Sequence, residues 1–272
     1  MKLNKLIYLL LVITIVLSIN LAFRPFHSSL QWAQKPFHSS LEAIGALCAF
    51  VLSTVLFMLR KYSAHKPYHL WIICGLLSMG LLDFFHAFGD PGESFVWLHS
   101  SATLMGGFLF AMVWLPDRML SPRVEYYLPV AIIILSFLLG LSLMSFPDLF
   151  PLMLKQGEFT LTAKSINLVG GLFFISASIW FTNLYLLKKD PEGILFANHC
   201  LLFGLAGIIF DFSQLWDTQW WLWHFIRLTA YVIALYYVFN VYKQTANALQ
   251  ESEAQLRATF NQAAVGIWHT LG

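Results

Sequence analysis

The sequence predicts an all-α integral membrane protein, an eight-span helical bundle with a C-terminal cytoplasmic signalling helix, and three observations predict it. The composition is 58% hydrophobic and 11% charged over 272 residues, with a mean hydropathy of +0.69, outside the range of soluble globular domains. The apolar residues gather in runs of the roughly 20 residues that cross a bilayer as a helix. The basic residues fall in every second connection between those runs, the bias that sets membrane topology.

The runs cover roughly residues 5–23, 39–59, 67–88, 95–116, 125–146, 161–187, 193–214 and 219–242. The first begins MKLNK, so it reads either as a span or as a cleaved signal peptide; no small-x-small site follows it, which favours the span. Between the first and second runs the phrase PFHSSL occurs twice, after Arg24 and after Lys35. Each copy holds a capping box, Ser28 to Gln31 and Ser39 to Glu42, which predicts two helix starts, each preceded by a proline that interrupts any earlier helix. The connections carrying Lys2 and Lys5, Arg60, Lys61 and Lys66, Arg118 and Arg123, Lys188 and Lys189, and Lys243 are expected in the cytoplasm. Both termini are then cytoplasmic, in a cell (inner) membrane, with the PFHSSL, GDPGES, PDLFPLMLKQGE and LWDTQW segments outside.

A net charge of +2, spread over short loops, gives no basic stripe for nucleic acid. Cys48, Cys74 and Cys200 lie in apolar runs without CxxC or metal-type spacing and read as packing residues. LLDFFHAFGD in the third span resembles IFDFSQLWDT in the seventh, and WLHSSATL in the fourth resembles LWHFIRLT in the eighth. The two halves are therefore parallel four-span repeats, or Asp-Phe and Trp-His pairs recur by chance in a Phe- and Trp-rich chain; both readings stand.

Ionisable residues inside spans cost about 2.5 to 3.5 kcal/mol each on insertion scales, so each needs a partner or a task. Asp83 and His86 share a face near the outer end of the third span, and His99 enters the fourth after a short loop. Asp211 and Gln214 take the corresponding places in the seventh span, His224 and Arg227 share a face of the eighth, and His38 and Glu42 head the second. His38, Glu42, Asp83, His86 and His99 are expected within about 10 Å of one another, a length a few side chains span. Three readings compete: a structural network in which Asp211 pairs with Arg227, an outward pocket sensing a small molecule or proton, and a metal or haem site using His38, His86 and His99. His199, alone and deeper, reads as a hydrogen-bonded core residue, and His65 and His69 as solvated loop residues. Trp220, Trp221 and Trp223 fit an interfacial belt or the wall of the pocket.

After the last span the chain turns polar and helix-favouring, with Leu249, Leu256 and Ala263 at heptad spacing. ESEAQLRATFNQAAVGIW resembles the linker helix and the opening helix and strand of a PAS domain, which divides the chain into a membrane domain at 1–243, a signalling linker at 244–260 and a truncated PAS start at 261–272. Upstream, FHSSLEAIGALCAF at 37–50 and GLLSMGLLDFFHAFGDP from Gly75, with the order of spans running into PAS, resemble the third family of membrane-associated sensor domains (MASE type). The resemblance implies a signal-input role ahead of a histidine kinase or diguanylate cyclase output, with His38, Glu42, Asp83 and His86 among the characteristic residues. It supplies no ligand. It implies a homodimer through the signalling helix and no enzyme within these residues. The alternatives are a transporter or channel and a metal- or haem-binding membrane protein.

Overall fold

The computed structural model describes residues 15, 16, 19, 31–62, 66–116 and 121–270. Seven helices among them are long and apolar enough to cross a membrane, so the described span count is seven rather than eight. The predicted first run, the first PFHSSL copy with Ser28, and His65 lie largely or wholly outside the described residues.

The helices are α1 (Lys35–Tyr62), α2 (Tyr68–Phe88), α3 (Glu93–Ala111, extended by a 3-10 turn Met112–Trp114), α4 (Pro122–Ser145), α5 (Leu161–Lys188), α6 (Pro191–Phe210) and α7 (Thr218–Thr270). Their starts are set chemically. Ser121 and Thr160 accept the Val124 and Ala163 amides, and Asp190 accepts from Glu192, with Pro122 and Pro191 at first helical positions that need no N–H donor. The second capping box does not form: α1 begins at Lys35, so Ser39 lies inside the helix, and the Ser40 hydroxyl donates back to the Pro36 carbonyl. Proline near the first helical position starts this helix, one turn earlier than the serine suggested. The predicted seventh span ends early, at Phe210, and after the turns that follow Trp216 adopts a left-handed φ of 70° and Asp217 caps the next helix.

Six helices close a ring in the order α1, α2, α3, α5, α6, α7 and back to α1, while α4 lies outside it against α2. That order sets two successive triples side by side, α1–α3 and α5–α7. The ring is tightest where α3, α5 and α6 meet. A Cβ on Gly107 would lie 2.3 Å from the Gly170 carbonyl oxygen and one on Gly171 would lie 2.9 Å from that of Gly204, so only glycine permits these approaches. The outer helix α4 exposes Ile133, Ile134, Leu135, Phe137, Leu138 and Leu141, as expected of a helix facing lipid.

Short connections reverse the chain and gather its loops at two ends. At one, Lys35 pairs with Asp90, the Trp32 amide donates to the Trp216 carbonyl, and Glu93 accepts the Met153 and Leu154 amides. A small hairpin, β1 (Leu154–Lys155) and β2 (Glu158–Phe159), turns through Gln156 and Gly157, both at positive φ, and lays Phe159 on Phe210. At the other end Arg60 pairs with Glu125, and Lys66 with Asp190 and Glu192. The basic connections among the described residues thus share one end, as the charge pattern predicted; Lys2, Lys5 and Arg118 lie outside the described residues. From the first end α7 runs as one unbroken helix of 53 residues, about 80 Å at 1.5 Å per residue. Beyond Val238 none of its described side chains is buried.

Candidate functional site

Four helices of the ring carry polar side chains to the end opposite the basic loops. Because α1 starts at Lys35, His38 is already helical and stands one turn before Glu42, both facing inward. Asp83 and His86 come from the last turns of α2, His99 from α3, and His224 and Arg227, three apart, from α7. All seven are buried.

Arg227 is the hub. One guanidinium nitrogen donates to Asp83 Oδ2 at 2.6 Å, the other to His99 Nδ1 at 2.7 Å while standing 3.7 Å from Glu42 Oε1. Arginine can only donate, so His99 Nδ1 is the acceptor and the His99 proton sits on Nε2. His86 Nδ1 lies 2.8 Å from the Phe95 carbonyl and His224 Nδ1 lies 2.6 Å from that of Trp220. A carbonyl can only accept, so both Nδ1 atoms carry hydrogen and both Nε2 atoms are bare lone pairs. His38 Nε2 is 3.0 Å from His224 Nε2, which is 3.3 Å from Glu42 Oε1. Among the described residues His86 Nε2 and His38 Nδ1, both buried, have no hydrogen-bond partner.

The sequence grouping is therefore met in part. His38, Glu42, Asp83, His86, His99, His224 and Arg227 come together, with neighbouring imidazole centres 4.8 to 6.0 Å apart. Asp211 does not join them. The expected Asp211–Arg227 pair is replaced by Asp83–Arg227, since Asp211 stops at the last turn of α6, where burial raises its carboxyl above the usual value and Lys164 opposes the rise. Gln214 donates instead to Glu158 of the hairpin. The metal trio of His38, His86 and His99 is regrouped as well. The ligand atoms that lie within 4.8 Å of one another belong to His38, Glu42, His86 and His224, and His99 has its lone pair taken by Arg227.

Trp220, Trp221 and Trp223 are buried and wall the cluster, His224 stacking on Trp223 with centres 3.6 Å apart. Trp216, on the left-handed residue before Asp217, and Asp217 itself were not singled out by sequence. The carboxylate accepts the Gln214 and Trp220 amides at 2.9 and 2.6 Å and so fixes the start of the helix that carries His224. The DTQW spacing, an Asp three before a helical residue, was the available signal. A cavity of about 10 Å³ lies against His86 and His99, walled by Phe159, Phe210, Trp220 and Trp223. That is about one water. A porphyrin does not fit there, so haem is set aside at this site.

His199 is a buried core residue with Nδ1 3.2 Å from the Ala230 carbonyl, as expected. Cys48, Cys74 and Cys200 are buried free thiols. His69, expected in solvent, is instead buried with Nε2 2.7 Å from Glu192, because α2 begins at Tyr68 and turns His69 toward α6. Comparisons with protein families, with curated proteins and with solved structures find no match for this chain.

Proposed function

We propose that the chain is a membrane-embedded signal-input domain, which detects a stimulus at the buried polar cluster and passes it along α7 to a cytoplasmic PAS and output module. The observation that carries this reading is that His224 and Arg227 lie on the one helix that continues far beyond the bundle. His224 meets His38 and Glu42 of α1, and Arg227 meets Asp83 of α2 and His99 of α3. A change of charge or occupancy in the cluster then bears on α7 through several contacts at once. A stimulus acts only if it binds two states of the bundle with different affinity. The size of the cavity favours a proton or an ion over an organic molecule.

By the positive-inside rule the basic loops favour a cytoplasmic far end, with the cluster toward the outer face. Leu249 and Leu256, exposed on the α7 extension at heptad spacing, offer a seam for a second copy of the helix. A transporter is less well served, since among the described helices the acidic and basic residues of the bundle, apart from Glu42, Asp83 and Arg227, lie near the helix ends.

The test is disulfide cross-linking between copies bearing Leu249→Cys or Leu256→Cys in liposomes. Glu42→Gln and Asp83→Asn are expected to change the cross-linking pattern of the extension. Folded variants with the wild-type pattern would defeat the reading.

A further inference from the structure

The bookkeeping of charge in the cluster is unequal. Glu42 and Asp83 are two carboxylates, Arg227 is one fixed cation, and all three are buried. An unbalanced charge in a low-dielectric interior is expensive, so the surplus carboxylate calls for a cation or a proton. The carboxylate farther from Arg227 is Glu42, whose Oε1 is 3.7 Å away where Asp83 Oδ2 is 2.6 Å.

Around Glu42 Oε1 stand the Nε2 atoms of His38 and His224, at 3.9 and 3.3 Å. His86 contributes a bare, buried Nε2 with no partner. We propose that His38, Glu42, His86 and His224 bind one transition-metal dication of the kind imidazole prefers, Zn²⁺ or Cu²⁺, a proposal that deepens the sensing reading and takes its regulatory meaning from it. His86 and His224 are already prepared as ligands: each holds its Nδ1–H on a backbone carbonyl, which fixes the tautomer and turns Nε2 inward, the usual outer support of a metal-bound histidine. His99 is not a ligand, because Arg227 occupies its lone pair.

Three imidazoles and a carboxylate suit these ions, whereas Ca²⁺ and Mg²⁺ require oxygen ligands. Bonds of about 2.0 to 2.1 Å in a tetrahedron set ligand atoms about 3.4 Å apart. The present spread reaches 4.8 Å, so closing on an ion draws the farthest ligands together by about 1.4 Å. His224 travels with α7, which gives the ion a means of moving the extension. For Zn²⁺, four protein ligands complete the tetrahedron of a structural site, which suits a site that registers occupancy.

The experiment titrates the purified full chain in lipid nanodiscs with ZnCl₂, CuCl₂ and MgCl₂ by calorimetry, with metal content checked by elemental analysis. One Zn²⁺ or Cu²⁺ per chain and no Mg²⁺ is expected. His86→Ala and Glu42→Gln should each weaken binding at least about tenfold, a single lost ligand costing no less than a lost outer partner does. His199→Ala should leave it unchanged. Should His86→Ala fail to fold, the visible absorption of the wild-type chain loaded with Co²⁺ reports tetrahedral nitrogen and oxygen ligation directly. A wild-type chain that takes up no ion, or His86→Ala and Glu42→Gln chains that bind as well as wild type, would overturn the site. An ion that binds without changing the α7 cross-linking keeps the site and defeats the relay; cross-linking that responds to Glu42→Gln in a chain that binds no ion does the reverse.

Discussion

The two ends of the bundle hold the same formal charges in different surroundings. At the basic end Lys66 faces Asp190 and Glu192, with His69 beside them; at the other, Arg227 faces Asp83 and Glu42, with four histidines. Each is one fixed cation against two carboxylates. Lys66, Asp190 and Glu192 keep 26%, 17% and 16% of their side-chain surface in contact with the surroundings, whereas Arg227, Glu42 and Asp83 keep 5%, 5% and 1%. At 4 Å a charge pair is worth about 1 kcal/mol in water and about 4 kcal/mol at an effective dielectric of 20. The same surplus is therefore absorbed by water at one end and demands a partner at the other.

The largest way to break this contrast is to remove the cation at each end in turn. Arg227→Met strands two buried carboxylates and is expected to cost about 3 to 5 kcal/mol, read as a lowered unfolding temperature in detergent, with partial recovery when Asp83→Asn is added. Lys66→Met is expected to cost under about 1 kcal/mol. Equal losses would erase the distinction. Next, Zn²⁺ at about 100 times its dissociation constant should stabilise the chain by about 2.7 kcal/mol. At the same Zn²⁺ concentration His86→Ala should cut that gain to about 1.4 kcal/mol or less and His69→Ala should keep it; the opposite pattern would put the ion at the basic end.

Salt gives a finer probe. The coupling between Lys66 and Glu192, measured by a double-mutant cycle, should shrink by a fraction of a kcal/mol when ionic strength rises from about 0.01 M to about 1 M, while that between Arg227 and Asp83 should hold. The smallest effect concerns Asp211. Its carboxyl is raised in the folded chain, so folding favours its protonated form, and its ionisation works against stability once pH exceeds the unfolded value. Asp211→Asn is therefore expected to raise the unfolding temperature slightly at pH near 7 and to leave it unchanged at pH near 3, where both states bind the proton. A stabilised variant at both pH values would mean that the carboxyl's charge is irrelevant.

Much of this architecture was legible in the chain. The runs from residue 67 to residue 214 match described helices to within about five residues, and the last run matches the start of α7, which continues to Thr270, since length and hydropathy are local properties. Most of the cluster's membership was also visible, Asp211 excepted, because charged residues in apolar helices are few and gather near one end. What local pattern could not give was pairing. Asp83 and Asp211 sit in similar words, LDFF and FDFS, yet Asp83 is the one that Arg227 hydrogen-bonds, and Asp211 falls where α6 has ended. Nor could sequence separate His99 from His224 as ligands, since that depends on which nitrogen an arginine or a carbonyl engages. The serine-based start of α1 failed because Pro36 opens the helix first, and His69 was misplaced because one residue decides whether it ends a loop or faces α6.

The hairpin between α4 and α5 carries a consequence of its own. Phe159 closes the small cavity beside His86, and Gln214 bound to Glu158 fastens the hairpin to the segment before α7. A side chain from outside the helices thus completes the wall that the tryptophans begin. The wall of the cluster is therefore only as steady as a two-stranded hairpin held outside the helices, and loosening the Gln214–Glu158 contact is expected to loosen that wall.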